Sequence, residues 1–399
     1  MLALYLGLAA LSLSIWLFLL LAWGNFWRCD QFLGGDSRDL PSYPTVTVIV
    51  PARDEADVLD QSLSSLLQQD YPGPLQVILI DDQSTDGTGQ VALAISKRSA
   101  TRCADKLAQT ERLEVITGKP LPLGWSGKLW AVEQGWRAIQ QQDSPPDYIL
   151  LTDADIAHGD QTLKQLVHKA EKEELALVSL MVMLRCESGW EKFLIPAFIF
   201  FFQKLYPFPW VNNPARKMAA AAGGCILIQR QALTVIGGIA ALKEALIDDC
   251  TLAQKVKALG LPIWLGLSRD NWSLRPYDRL ETIWNMVART AYTQLNYNPL
   301  LLLGTLVGMG LVYLTAPLAV LLGIIFANPY LLALGALTWG LMAIAYGPTL
   351  KLYGRSPWWG VALPLIGLLY SLMTVDSAWR HWRGQGGGWK GRVYPQVSD

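Results

Sequence analysis

The chain predicts an α/β domain, a mainly parallel sheet with covering helices, flanked by N-terminal and C-terminal apolar segments long enough to cross a bilayer. Two observations predict the domain. Short apolar runs alternate with helical patterns from residue 44 to about 260, and paired carboxylates follow three of those runs directly. A third predicts the flanks: residues 2–23 carry no charge, and further apolar stretches lie beyond residue 297.

The apolar runs at 46–50, 77–80, 113–116 and 148–151 read as strands, with helices near 58–69, 88–99 and 129–140 between them. A last helical run, 251–259, closes at Gly260. The organisation expected is a membrane anchor over 1–27, the α/β domain over 44–290, a membrane region over 298–379 and a basic tail over 380–399.

In an open α/β sheet, ligands bind beyond the carboxyl ends of the strands, so carboxylates placed there converge on one crevice. The first strand runs into Pro51-Ala52-Arg53-Asp54-Glu55, where the proline is expected to turn the chain out of the sheet and present polar groups suited to a base or ribose. The second ends in Asp81-Asp82, followed by Ser84, Asp86 and Thr88, which shape a turn and cap the next helix. A capped turn accounts for Asp86 but not for a doubled aspartate after an apolar strand.

Asp153-Ala154-Asp155 follows the fourth run, and two carboxylates one residue apart suit a hard divalent cation that keeps positions for water and phosphate oxygens. Asp248-Asp249 opens the last helical run, where the helix dipole favours anions; helix capping accounts for that placement as readily as a catalytic base does. Lys128, in a Trp-Ser-Gly-Lys turn, is placed to neutralise a diphosphate, and the glycine beside it allows close approach.

Composition removes other classes. The chain has 33 basic and 33 acidic residues, so there is no basic excess to bind nucleic acid. Five cysteines at scattered spacing, Cys29, Cys103, Cys186, Cys225 and Cys250, form no zinc or disulfide framework and suit a reducing, cytoplasmic setting. Seventeen tryptophans, many beside the apolar runs, suit a membrane–water boundary.

Residues 2–23 lack the basic start of a signal peptide and read as an uncleaved anchor. Arg28 and Arg38 follow it and place the α/β domain on the cytoplasmic side of a cell (inner or plasma) membrane, in a multi-pass protein. Beyond it, 299–326, 330–350 and 358–375 are apolar. Three crossings would carry the tail outside, whereas Arg380, Arg383, Lys390 and Arg392 favour the inside; one re-entrant or flat segment would reconcile the two. Residues 193–210 are apolar but contain Pro196, Lys204, Pro207 and Pro209, and read as a segment lying in the headgroup plane. Asp376, near a membrane end, reads as an interfacial carboxylate rather than a proton relay.

Taken in this order, the motifs make residues 44 to about 290 resemble a family 2 glycosyltransferase of GT-A fold, and the subgroup most like this chain is the hopene-associated, HpnB-like one. The resemblance extends over both apolar regions and the Gly388-Trp389-Lys390-Gly391-Arg392 tail. It implies that Pro51, Ala52, Arg53, Glu55 and Asp82 line the nucleotide site with Asp81 beside them, that Asp153 and Asp155 serve the diphosphate and its Mg²⁺ or Mn²⁺ with Asp155 the direct metal ligand, and that Lys128 is the family's lysine. Asp249, supported by Asp248, then matches the general base, and Gly223-Gly224-Cys225 the acceptor-side segment.

Processive polysaccharide synthases carry Gln-x-x-Arg-Trp after the base, and the comparable stretch here, Met286-Val287-Ala288-Arg289-Thr290, lacks the Gln and the Trp. The expectation is inverting transfer of one sugar from a nucleotide sugar, UDP-linked before GDP-linked by family frequency, to a membrane lipid hydroxyl of hopanoid, carotenoid or similar type. A processive synthase is the alternative within the class, and a transporter or scaffold with cation-binding carboxylates the alternative outside it. The apolar stretches carry almost none of the charge a transport path would need.

Overall fold

The computed structural model describes residues 1–34, 40–102, 112–245, 247–384, 388–389 and 392–393. Arg38, Cys103 and Lys390 lie outside the described residues. The chain divides into two compact units: Gln31–Arg185 with Trp210–Pro276 and Gly388–Asp399, and Met1–Asp30 with Cys186–Pro209 and Tyr277–Gly387.

The first unit is built on one sheet of eight strands: β1 (Val46–Ala52), β2 (Leu75–Asp81), β3 (Leu113–Thr117), β4 (Tyr148–Thr152), β5 (Ile156–Ala157), β6 (Leu177–Met183), β7 (Cys225–Gln229) and β8 (Ile263–Ser273). Their order is β3-β2-β1-β4-β7-β6-β8-β5. The pairs β1·β2, β1·β4, β2·β3 and β6·β8 are parallel. By contrast β7 runs antiparallel to both β4 and β6, and β5 antiparallel to β8. The mainly parallel sheet expected from the alternating pattern is present, with antiparallel strands that the pattern did not announce.

Every residue of β1 is buried, as a central strand covered on both faces requires. Its Val46, Val48 and Val50 join one core with Leu59, Leu63 and Leu66 of the helix Ala56–Leu67 and with Leu163, Leu166 and Val167 of the helix Thr162–Lys172. Ile49 points to the opposite face, as a period of two demands. There the helix Gly127–Gln140 packs so closely that a Cβ on Gly135 would stand 2.7 Å from Ile49 Cγ2 and 2.9 Å from Ile80 Cδ1. Pro51 lies inside β1, paired with Ile80, rather than turning the chain out of the sheet. The ladder to β4 has already ended at Ile49–Leu151, so the missing N–H of Pro51 breaks no bond there.

Register fixes the functional edge. Val46 stands opposite both Leu75 and Tyr148, so three parallel strands begin level, β4 ends two residues before β1 and β2, and all three deliver Arg53–Glu55, Asp81–Asp82 and Asp153–Asp155 to one side of the sheet. Because β7 is antiparallel to β4, with Cys225 opposite Thr152, it begins where β4 ends and brings Gly223-Gly224 to the same edge.

The second unit is helical. Four of its helical stretches, Leu2–Leu21, Pro299–Ile325, Pro329–Leu352 and Pro357–Trp382, have the length and hydropathy to span a bilayer, and so does Gly189–Val211, whose last residues belong to the first unit. A single crossing by Gly189–Val211 would put β6 and β7 on opposite sides of the membrane. They are hydrogen-bonded neighbours.

Within the helical unit a π-helical turn, Gly310–Leu314, interrupts the third apolar stretch. Such turns free carbonyls from the regular ladder, and in a bilayer a free carbonyl must find another donor. Ser12 Oγ donates to Leu311 O at 2.7 Å and Trp16 Nε1 to Val312 O at 2.8 Å, tying the helix Leu2–Leu21 to the turn. Lys204 donates to Tyr313 Oη at 2.7 Å and lies over the Tyr313 ring, which gives this charge near the end of an apolar helix an internal partner. Asp376 accepts from Trp284 Nε1 and pairs with Arg380, each at 2.7 Å, and so is held in an ion pair.

Gly135→Val is expected to destabilise the protein by about 1–3 kcal/mol, the usual cost of overpacking a tight interface. It is read as a lower denaturation midpoint of the detergent-solubilised chain. An unchanged midpoint would show that the contact with Ile49 and Ile80 yields freely.

Candidate active site

The loops after β1 and β2 are laced together before either can meet a ligand. Arg53 Nη1 donates to Asp82 O at 2.6 Å and lies 3.7 Å from Asp82 Oδ2, while Asp82 N–H donates to Ala52 O at 2.8 Å. Thr85 N–H donates to Asp54 Oδ1, and Thr88 Oγ1 accepts from Glu55 N–H at 2.9 Å. Asp86 accepts from the N–H of Ala56, the first residue of one helix, and from Thr88, the first of the next. The capping role read for Asp86 thus extends to two helices. Asp54 and Gln83 sit at positive φ, 49° and 56°, where side chains other than Asn or Asp pay a steric cost.

This edge brings most of the expected residues together, though not all with side chains presented. Arg53, Glu55 and Asp82 cluster, with Asp82 fully buried. Asp81 points back, accepting from Ser84 N–H at 3.0 Å, and its Oδ2 would stand 2.5 Å from a Cβ on Gly89. Ala52 is wholly buried and offers the site only its backbone.

The second half of the site is a cavity with an apolar floor of Leu129, Val132, Leu151, Ile226 and Leu252, and a charged mouth of Lys128, Asp153, Asp248 and Asp249. Pro51 and Gly223 complete its wall. Ser126 caps the helix Gly127–Gln140, and Lys128, in the first turn, reaches Asp153 Oδ1 at 2.6 Å and Asp248 Oδ2 at 4.0 Å. Burial works against the ammonium, but Asp153, Asp248 and Asp249 outweigh it and hold the Lys128 pKa above that of an ordinary lysine.

Asp248 and Asp249 occupy the first turn of the helix Asp248–Ala258, but neither caps it. Asp249 Oδ2 instead accepts from Gly223 N–H at 2.8 Å, across the cavity wall, and Oδ1 from Cys250 N–H at 2.7 Å. Burial, reinforced by Asp248, raises its pKa to about 6; Lys128 and the two N–H donors restrain the rise. Gly223 has no side chain for a reason of space: a Cβ there would stand 3.3 Å from Asp249 Oδ2 and 3.4 Å from Lys128 Nζ. A half-buried carboxylate poised near neutrality beside a cation is what general-base chemistry requires.

Asp155 is held differently. Arg275, just past β8, donates through Nε to Asp155 Oδ2 at 2.9 Å and through Nη2 to Glu55 Oε1 at 2.7 Å. Sequence reasoning missed Arg275, because only the long-range pairing of β5 with β8, Ile156 opposite Ser273, brings it to the site. It also missed His158, a buried ring whose Nε2 lies 2.9 Å from Thr152 Oγ1 and whose Nδ1 lies 3.1 Å from Asn271 Oδ1. Burial lowers the His158 pKa to about 4 against the Asn271 hydrogen bond, so the ring is neutral at neutral pH and braces the strand that carries Asp153.

Among the described residues no three His, Cys, Asp or Glu side chains are grouped to hold a metal ion by themselves. Asp153 and Asp155 nonetheless suit Mg²⁺ or Mn²⁺ of the kind that takes one or two carboxylates and completes its sphere with substrate phosphates and water.

Residues 47–237 match the family model for glycosyl transferase family 2. Over those residues the chain is similar to that family. The probable glycosyltransferase YdaM of Bacillus subtilis (strain 168) is 26% identical over 285 residues, which is 67% of this chain and 61% of that relative. The chain therefore matches about three-fifths of the relative's length. Mannosyltransferase PcManGT from Pyrobaculum calidifontis, solved in complex with GDP-Man and Mn²⁺, is 18% identical, with a TM-score of 0.53 covering 95% of this chain and 99% of that one. The fold is GT-A-like, a mainly parallel mixed sheet with helices.

Lys128→Met is expected to lower the thermal midpoint more at pH 8 than at pH 5. A carboxyl whose folded pKa is raised from 3.8 to about 6 favours the folded state when protonated, and its ionised form works against folding as pH rises through that value. Removing the nearest cation deepens this effect at high pH. Equal losses at the two pH values would separate Lys128 from Asp249.

Proposed function

We propose that this chain is a membrane-bound, inverting glycosyltransferase that moves one sugar from a nucleotide sugar to a lipid hydroxyl. The observation that carries the reading is the mouth of the cavity, where a carboxyl with a pKa near 6 and a lysine face the same space. Asp249 takes the proton of the acceptor hydroxyl as its oxygen attacks the anomeric carbon, and the bond to the nucleoside diphosphate breaks on the opposite face. Lys128 balances the negative charge that gathers on the leaving diphosphate.

Arg53, Glu55 and Asp82 bind the nucleoside, with Pro51, Ala52 and Asp81 shaping that pocket. Asp153 and Asp155 would hold Mg²⁺ or Mn²⁺, which supplies Lewis-acid stabilisation of the diphosphate when bound. UDP-sugars are the first donors to test and GDP-sugars the second. GDP-Man and Mn²⁺ in PcManGT support both a nucleotide-sugar donor and a divalent cation.

The apolar helices in the same chain support a lipid acceptor and a bilayer setting. Arg28, directly after the helix Leu2–Leu21, supports a cytoplasmic site at the cell membrane. A hopanoid hydroxyl is the acceptor the HpnB-like resemblance favours, and a carotenoid or glycerolipid hydroxyl offers the same nucleophile. Donor hydrolysis or transfer in lipid extract, followed by mass spectrometry, tests this: the product is a lipid heavier by one sugar, and a long polymer would overturn single transfer.

Asp249→Asn is expected to cut turnover by about 10²–10⁴-fold, the range for loss of a general base. In the wild type, activity should fall with one-proton dependence below a midpoint near 6, where the carboxyl takes up its proton. Near-normal turnover of the Asn variant would remove Asp249 from this role. Excess chelator should abolish turnover and added Mn²⁺ restore it; full activity in chelator would dismiss the cation.

A further inference from the structure

Arg275 occupies an unusual place. Its Nη2 reaches Glu55 Oε1 at 2.7 Å in the loop after β1, and its Nε reaches Asp155 Oδ2 at 2.9 Å in the loop after β4. Both carboxylates are nearly out of water, with side chains 8% and 10% exposed, while the arginine side chain is 34% exposed. Glu55 belongs to the proposed nucleoside pocket and Asp155 to the proposed cation site, so one guanidinium spans both.

We infer that Arg275 is a resident cation that holds Asp155 and Glu55 when no donor is bound, and that it makes divalent-cation binding depend on the nucleotide diphosphate. The inference rests on the glycosyl-transfer reading above. Two buried carboxylates without a counter-ion would repel each other and draw in any cation. Arg275 removes that pull, so a divalent ion arriving alone must compete with a guanidinium already hydrogen-bonded to Asp155. A diphosphate changes the balance. It brings negative charge that offsets the cation, and its oxygens offer the planar guanidinium the paired acceptors it favours. Arg275 is then free to leave Asp155 for the phosphates, and Asp155 becomes available to the metal.

The rest of the loop suits such an exchange. Leu274 N–H donates to Asp155 O at 2.8 Å, so the backbone beside Arg275 is fixed to the carboxylate loop while the guanidinium alone need turn. Ser273 Oγ lies 3.5 Å from Asp155 Oδ2 and remains beside the carboxylate as a neutral neighbour.

Equilibrium binding of Mn²⁺, followed by electron paramagnetic resonance of the free ion, tests the coupling without turnover. With the full-length wild type, Mn²⁺ alone should bind weakly, and GDP or UDP should tighten it by about tenfold or more, the scale of an ordinary coupling between two sites. By reciprocity Mn²⁺ should tighten the nucleotide by the same factor. In Arg275→Gln, Mn²⁺ alone should bind about tenfold tighter than in wild type, and the tightening by nucleotide should shrink to what the phosphate oxygens contribute as ligands. Arg275→Lys, whose single ammonium reaches one carboxylate at a time, should fall between them.

Mn²⁺ affinity that is unchanged or weaker in the Gln variant, or nucleotide coupling as large in it as in wild type, overturns the role of Arg275. If neither variant folds, the wild-type measurement alone decides: a nucleotide and Mn²⁺ that bind independently overturn the inference while leaving the transferase reading intact. Wild type that binds neither nucleotide at any Mn²⁺ concentration overturns both.

Discussion

The shared register of three parallel strands is the constraint from which the site follows. Once Val46 stands opposite Leu75 and Tyr148, the loops beyond β1, β2 and β4 have one edge to occupy, and their carboxylates meet there. Hydrophobic burial on both faces of β1 enforces that register, because a slip of one residue would exchange its valine face for its isoleucine face and drive Ile49 away from Gly135. Packing far from the chemistry therefore decides where the acids lie.

Bringing so much negative charge to one edge requires cations inside the same structure, and the chain supplies three in separate places. Arg53 lies against Asp82, Lys128 against Asp153 and Asp248, and Arg275 against Glu55 and Asp155. Each holds part of the edge in a state that a phosphate-bearing ligand can compete for. Asp249 stands apart, since backbone N–H groups rather than an ion pair hold its two oxygens, and so burial governs its proton affinity.

Much of this was legible in the sequence, because the signals were local. Apolar runs ending in paired acids placed β1, β2 and β4 within a residue or two, and the motifs in order pointed to the family whose model residues 47–237 match. What escaped was set by distant pairing. No local pattern states that β7 runs antiparallel beside β4, that β8 meets β5, or that Arg275 therefore faces Asp155. Pro51 misled for a related reason: proline reads as a strand end, yet the β4 ladder stops short of it and the strand continues. The stretch around Lys204 satisfies length and hydropathy for a crossing, and it joins β6 and β7, whose pairing no local pattern states.

The π-helical turn at Gly310–Leu314 bears on how the protein is made. Its carbonyls are satisfied by Ser12 and Trp16, which precede their partners by 299 and 296 positions. The helix Leu2–Leu21 therefore leaves the ribosome long before its partners exist, and these two bonds close only after the turn has been made. A fusion partner or trimming that disturbs Ser12 or Trp16 would loosen the turn at Gly310–Leu314, well away from the segment altered.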